Sequence, residues 1–168
     1  MTPASGRGPS VIVAAILIAL AVGALGAWIT QLSAWYYALR FPPWKPPDWL
    51  FGPAWTTIFA CAAAAGVIAW RAAPTRNARW WVLVLFALNI NLNLLWSGLF
   101  FRLQRPDYAF LEVVLLWLSI VALIVAFRRD APKASWLLAP YLLWVTYAAA
   151  LNFAIVRLNA PFPGAGTG

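Results

Sequence analysis

The chain has 168 residues, of which 64% are apolar and 10% charged, and its mean hydropathy is +0.80. Ordinary soluble domains carry about 25% charged residues, so this composition indicates an integral membrane protein. Histidine is absent and there is a single cysteine, Cys61. Since the usual ligands of transition metals and haem iron are almost missing, we expect no metal site and no required cofactor. The net charge is +8, but the basic residues are scattered between apolar runs, which is typical of membrane topology signals rather than of nucleic-acid binding.

Five apolar runs are each long enough to cross a bilayer as a helix of about 20 residues. Short charged or proline-containing segments separate them. The sequence therefore predicts an all-α fold, an integral membrane bundle of five transmembrane helices in a single domain, residues 1–168. The predicted elements are helices at about 10–30, 53–71, 79–101, 107–128 and 134–157, a ligand-covering loop at 31–52 and a disordered tail at 160–168.

Lys and Arg are distributed unequally between the two sides of this topology. Seven lie on the side of the N-terminus, Arg7 among them, and five lie on the side of the first long loop. The positive-inside rule then places the N-terminus in the cytoplasm. We expect an integral protein of a bacterial cell-envelope membrane, in contact with membrane lipid.

The first loop is unusually aromatic and stiff. Residues 35–55, WYYALRFPPWKPPDWLFGPAW, hold four tryptophans, two tyrosines and five prolines. Paired prolines such as Pro42-Pro43 and Pro46-Pro47 cannot continue a helix. Such a segment can act as a lid over a site between the helices beneath it. The alternative is an aromatic belt that rests at the lipid headgroups.

Polar and aromatic side chains share helical faces inside three spans. Asn89, Asn93 and Trp96 lie on one face of the third span, where the amides either bond neighbouring helices or contact a ligand. In the second and fifth spans, tryptophans share a face with small residues one or two turns away: Trp55, Phe59, Ala62 and Gly66, and Tyr141, Trp144, Ala148 and Asn152. This spacing fits either a cavity for a flat ligand or a packing seam of large and small residues.

Two further features have both structural and functional interpretations. Glu112 is an acidic residue inside the apolar run of the fourth span. Its position, about one turn from the start of that span, favours an ion pair with Arg105 or Arg102 at the membrane interface. Ala19, Gly23 and Ala27 follow the small-xxx-small pattern in the first span. This pattern fits either a dimer seam or packing within the monomer.

Several separated motifs point to one family. They are Trp35-Tyr36, Trp44-Lys45-Pro46-Pro47, Gly52 to Trp55, Asn93 with Trp96, Pro140 to Trp144, Leu151-Asn152-Phe153 and Arg157. Over residues 35–159 the chain resembles the tryptophan-rich sensory protein family, TspO, whose animal members are called translocator protein or peripheral benzodiazepine receptor. The resemblance implies a five-helix membrane bundle, often a homodimer, with a pocket under the first loop that binds porphyrins and, in some members, sterols and benzodiazepine-type drugs.

Carried over by position, the resemblance assigns seven ligand-binding residues. Trp55 and Trp144 become facing indoles, with Asn93, Trp96 and Ala148 on the walls and Tyr36 and Pro47 in the lid. Arg40 or Lys45 at the rim is expected to meet the propionates of a porphyrin. Animal members carry a sterol pattern with tyrosine in the last span, where this chain has Phe153, so we assign no sterol site.

The first interpretation of function is a membrane receptor or sensor that binds porphyrin. A second is an enzyme that oxidises bound porphyrin in light, with Trp55 and Trp144 as the reacting pair, a reaction that some family members are thought to perform. A third is a transporter of porphyrin-like amphiphiles, although the sequence has no internal repeat and no glycine- or proline-broken helix at mid-membrane, both common in transporters.

Overall fold

The computed structural model describes residues 8–162. These residues form seven α-helices: α1 Gly8–Ile29, α2 Ala34–Ala38, α3 Phe51–Ala72, α4 Arg76–Ser97, α5 Pro106–Phe127, α6 Pro132–Leu137 and α7 Ala139–Asn159. A 3-10 turn at Asp48–Leu50 precedes α3, and a π-helical segment, Gly98–Arg102, extends α4. The described range contains no strand, and five of its helical stretches are long and apolar enough to cross a membrane. The predicted all-α membrane bundle of five transmembrane helices is confirmed.

The fifth predicted span, 134–157, differs most from the structure, because it is built from two helices. The α6 helix ends at Leu137, and the next residue, Leu138, caps it by donating its amide to the Ser135 carbonyl at 3.2 Å. Pro140, two residues further on, has no amide hydrogen to offer the carbonyl four residues before it, so the two helices are not continuous. Hydropathy alone does not reveal this break, since the apolar run passes through it.

The two ends of the chain fall largely outside the described residues. Arg7 and residues 163–168 of the predicted tail both lie there. At the start of that tail, Phe162 is buried, with 6% of its surface exposed.

The α5 helix lies at the centre of the bundle and packs against both α4 and α7. Its buried face carries Leu116, Ile120 and Leu123 at a spacing of three to four residues, which is typical of a helix face turned towards a core. The α1 helix lies at the edge, against α3 and α4. A central α5 and a peripheral α1 leave the space between α1, α3, α4 and α7 to form the site.

The bundle has two chemically different ends. We call the end that carries residues 30–50 the loop end. The opposite end carries the α3–α4 and α5–α6 turns, with Arg71, Arg76, Arg79, Arg128, Arg129 and Lys133. We call it the basic end, because these six cationic residues outnumber Asp130, the acidic residue on the same turns.

The buried asparagines of α4 bond neighbouring helices. Asn89 Nδ2 donates to Ser119 Oγ on α5 at 2.8 Å. Asn93 Nδ2 donates to the Tyr141 hydroxyl on α7 at 3.2 Å. Buried amides in a bilayer need such partners, so the packing interpretation of Asn89 is confirmed. Both asparagines also border cavities, as described below.

The small residues of α1 pack within the monomer. A Cβ atom added to Gly23 would lie 3.7 Å from the ring of Phe59 on α3. Ala19 and Ala27, four residues away on either side, line the two cavities of the bundle. The small-xxx-small pattern therefore faces α3 and α4, which supports the monomer interpretation.

The expected ion pair of Glu112 is not formed. Glu112 is buried, with 5% of its surface exposed, and neither carboxylate oxygen has a hydrogen-bond partner among residues 8–162. Arg105 pairs instead with Asp107, through contacts of 2.8 and 2.5 Å. Arg102 stacks on Trp28 at 4.6 Å and donates to its carbonyl. Glu112 projects towards the bundle interior, so it does not reach the interface as expected.

Candidate ligand site beneath the first loop

The covering loop is held together by a partly buried polar cluster. The Tyr36 hydroxyl donates to Asp48 Oδ1 at 2.8 Å, and Lys45 Nζ contacts the same oxygen at 2.5 Å. The Lys45 ammonium also lies 4.8 Å from the centre of the Phe41 ring, within cation–π range. Burial and the neighbouring Asp48 carboxylate raise the pKa of Tyr36 above its ordinary value, so its hydroxyl remains a hydrogen-bond donor at neutral pH.

The same loop is fastened to α7 at two points. Asn159 forms a pair of hydrogen bonds with the backbone of Arg40, accepting from its amide at 2.8 Å and donating to its carbonyl at 2.9 Å. Tyr147 donates to the Trp44 carbonyl at 3.1 Å, and the two rings meet edge to face at 5.6 Å. Contacts between residues more than 100 positions apart thus fix the loop over the bundle. We call the Asn159–Arg40 pair the clasp.

A cavity of about 450 Å³ lies beneath the fastened loop. We call it the loop-end cavity. Its walls come from α1, the loop, α3, α4 with its π-helical segment, and α7. Its residues include Gly23, Gly26, Ala27, Tyr36, Phe41, Asp48, Phe51, Trp55, Phe59, Asn93, Trp96, Ser97, Phe100, Phe101, Trp144, Ala148, Leu151, Asn152 and Ile155. Its volume falls in the range of small-molecule sites, about 300 to 1,000 Å³, and its walls are mostly aromatic or apolar.

Six of the seven predicted ligand residues line this cavity: Tyr36, Trp55, Asn93, Trp96, Trp144 and Ala148. The seventh, Pro47, is not among its lining residues in the described chain; it is exposed and precedes the 3-10 turn. Asp48, its neighbour, faces the cavity instead. Pro47 therefore stiffens the loop without lining the cavity.

The two predicted indoles are in contact and do not face each other across a gap. The Trp55 and Trp144 ring centres are 6.5 Å apart, and the ring planes meet at 79°. Trp55 also stacks on Phe59 at 5.3 Å, and Trp144 lies edge to face with Phe51 at 5.7 Å. An edge-to-face pair leaves no space for a flat molecule between the rings. The two indoles therefore form one continuous wall, against which a ligand can lie.

The rim cations also differ from expectation. Lys45 is partly buried and paired with Asp48, so its charge is largely neutralised within the loop. Arg40 is exposed, and its backbone is held by the clasp. Neither residue is among the lining residues of the cavity, and of the two Arg40 is the exposed one.

Sequence reasoning missed the contribution of the π-helical segment. Phe100 and Phe101 line the cavity with ring centres 4.8 Å apart, and Phe100 stacks on Trp96 at 5.4 Å. The rotation between consecutive residues is smaller in a π-helix than in an α-helix, which favours both rings on the same wall; single π-helical turns are frequent at functional sites. The run Gly98-Leu99-Phe100-Phe101 carried no signal of this widening.

Two buried polar atoms in the cavity wall lack partners among residues 8–162. They are Trp96 Nε1 and Asn152 Oδ1. The Asn152 amide nitrogen is engaged, since it donates to the Pro106 carbonyl at 2.8 Å and so ties α7 to the start of α5. A donor and an acceptor are thus held in an otherwise apolar wall.

The family model described as the TspO/MBR family matches residues 15–158. The chain belongs to this family. It is 44% identical to the tryptophan-rich protein TspO of Chlorobaculum tepidum over 84% of the chain and 91% of that protein. It is 36% identical to the tryptophan-rich sensory protein of Cereibacter sphaeroides, over 74% of the chain and 77% of the relative. It is 30% identical to the human translocator protein, over 77% and 78%. The resemblance seen in the motifs is confirmed, and this TspO/MBR chain is an integral membrane protein.

Proposed function

We propose that the loop-end cavity binds a porphyrin and that the protein is a membrane receptor or sensor for it. The observation that supports this most directly is a cavity of about 450 Å³ whose walls are aromatic and whose cover is fastened in place. Flat conjugated rings gain stacking and edge contacts on such walls. The sequence has no histidine to coordinate iron, so a free-base porphyrin suits the site better than haem.

The geometry suggests how the ligand lies. Its macrocycle rests against the wall made by Trp55 and Trp144, with Trp96 and Phe100 on the α4 side. Its propionates point towards the rim, where Arg40 is exposed. Lifting the cover to admit the ligand requires the clasp and the Tyr147 bond to break.

The test is a titration of the purified protein with free-base porphyrin, followed by the change in the Soret band. Replacing Trp55 or Trp144 by Phe is expected to weaken binding by about three- to tenfold, because each loses part of an aromatic contact worth about 0.5–1.5 kcal/mol. Trp136→Phe is the matched control, since Trp136 is 78% exposed and lies on α6 at the basic end. Equal affinity in all four proteins would exclude this wall as the binding site.

A second candidate is light-driven oxidation of the bound porphyrin. The favouring observation is the contact between Trp55 and Trp144, which continues to Tyr141 at 6.1 Å and to Tyr147 at 5.9 Å. Aromatic side chains in such contact can share an oxidising equivalent. Illumination of the complex in air is then expected to bleach the Soret band, and to do so more slowly in Trp144→Phe at equal occupancy. Loss at the same rate for protein-bound and free porphyrin would reject enzymatic turnover.

The transporter alternative makes a different prediction. Liposomes containing the protein would show saturable porphyrin uptake, whereas a receptor or an enzyme would show binding without flux.

A further inference from the structure

A second cavity lies on the basic-end side of the first. It has a volume of about 430 Å³ and is bounded by α1, α3, α4 and the side chain of Tyr141. Phe59 and Asn93 belong to both cavities, so the two are stacked along the bundle. Much of the second wall is made of small side chains: Ala15, Ala19, Ala62, Ala63, Gly66 and Ala87. We call it the basic-end cavity.

The wall of this cavity presents hydrocarbon almost throughout. Its buried amides are already used, since Asn89 donates to Ser119 and Asn93 donates to Tyr141. A polar guest would lose its hydration without gaining partners. The cavity therefore suits an alkyl chain.

The shape of the cavity also selects a chain. Along α1 it runs from Val11 to Val22, which corresponds to about 16 Å of helix. This length is close to half of a hydrocarbon core about 30 Å thick, that is, to one leaflet.

The cavity is open to the surroundings of the bundle along α1. Ile18 lines the cavity, yet 51% of its surface is exposed. In an integral membrane protein this side of α1 faces lipid. A chain can therefore enter laterally from the bilayer.

A cationic group stands at the basic-end mouth of the same cavity. Trp70 lines the mouth, and the Arg79 guanidinium lies 5.9 Å from the centre of its ring. Arg79 Nε is buried and has no hydrogen-bond partner in the described residues. Arg76 begins α4 one turn earlier and is exposed. An anion bound here would meet an unused donor and the excess positive charge of the basic end.

From the hydrocarbon wall, the depth of one leaflet and the cation at the mouth, we infer that the basic-end cavity is a site for one anionic phospholipid. One acyl chain fills the cavity, and the phosphate lies against Arg79 and Arg76. The site is separate from the loop-end cavity and does not depend on what that cavity binds.

The test is native mass spectrometry of the detergent-purified protein titrated with phosphatidylglycerol or phosphatidylcholine of the same acyl chains. We expect one phosphatidylglycerol to bind about fivefold more tightly than phosphatidylcholine, since a cation at the surface contributes about that factor. Replacing both Arg79 and Arg76 by Gln should bring the two lipids to equal affinity. Arg129→Gln, at the same end but on the α5–α6 turn, should keep the preference.

The part of the test that concerns the acyl chain uses two adjacent residues of α3. Ala63 lines the cavity, whereas Ala64 is exposed and does not. Ala63→Phe should fill the cavity and abolish tight binding of both lipids, and Ala64→Phe should leave it intact. Ala15→Phe, which fills the cavity from α1, replaces Ala63→Phe if thermal unfolding shows that variant to be misfolded.

Several outcomes would overturn the inference. Equal affinity of the wild-type protein for the two lipids would refute recognition of an anionic headgroup. Unchanged binding in both cavity-filling variants would refute the cavity as the site of the acyl chain. A loss of lipid accompanied by dimer dissociation in Ala63→Phe would assign the cavity to a second copy of the chain instead.

Discussion

Replacing Asn159 by alanine isolates the clasp from everything else that holds the loop. The substitution removes the two hydrogen bonds to the Arg40 backbone, at 2.8 and 2.9 Å, and a third within α7 to the Ile155 carbonyl at 2.8 Å. Each of the two clasp bonds contributes about 0.5–1.5 kcal/mol, and their exposed position places them at the lower end. The free energy of opening the loop should therefore fall by about 1–2 kcal/mol.

Hydrogen exchange measures this opening directly. The Lys45 amide donates to the Pro42 carbonyl inside the loop at 3.0 Å, so it exchanges when the loop loosens. A loss of about 1–2 kcal/mol corresponds to exchange that is roughly 5- to 30-fold faster. The α5 core amides should not change, because they do not contact the loop.

Asn91→Ala is the matched control. Asn91 is exposed on α4 and donates to the carbonyl four residues earlier, Ala87, at 2.8 Å. It therefore reproduces the loss of the Asn159–Ile155 bond without touching the clasp. If the Lys45 amide exchanged at the wild-type rate in Asn159→Ala, the clasp would not be what holds the loop closed.

Two further substitutions test the interior of the loop and of the bundle. Tyr36→Phe loses its bond to Asp48 and should destabilise the protein by about 1 kcal/mol, which lowers the midpoint of thermal unfolding. Tyr37→Phe is the control, because that ring is exposed, and it should keep the wild-type midpoint. Equal midpoints for the two variants would show that the Tyr36–Asp48 bond contributes nothing to stability. Glu112→Met removes a buried carboxyl without a hydrogen-bond partner in the described chain and should raise the midpoint, because burying an unpaired polar group costs about 1–3 kcal/mol. A lower midpoint would reveal a stabilising role for that carboxyl.

The positions of the transmembrane helices could be predicted because bilayer thickness alone sets their length and apolar character. The division between α6 and α7 could not, since Leu138 and its neighbours are as apolar as a continuous helix requires. The break depends on the amide hydrogen that Pro140 lacks. Since a proline is tolerated in the first turn of a helix, Pro140 lies at the start of α7.

Part of the candidate site could likewise be predicted from the sequence, and part could not. Trp55, Trp144 and Ala148 were identified because helical spacing and the family motifs place them on inward faces. Their relative orientation depends on packing between helices far apart in the sequence, so the edge-to-face angle of the indoles was not accessible. The outward position of Pro47 depends likewise on the fastening of the loop by Asn159 and Tyr147.

The phenyl ring of Phe59 is a wall shared by the two cavities. It is stacked on Trp55 at 5.3 Å on one side and faces the backbone of Gly23 on the other. Because one ring borders both spaces, a substitution at this single position alters the lining of the two compartments at once.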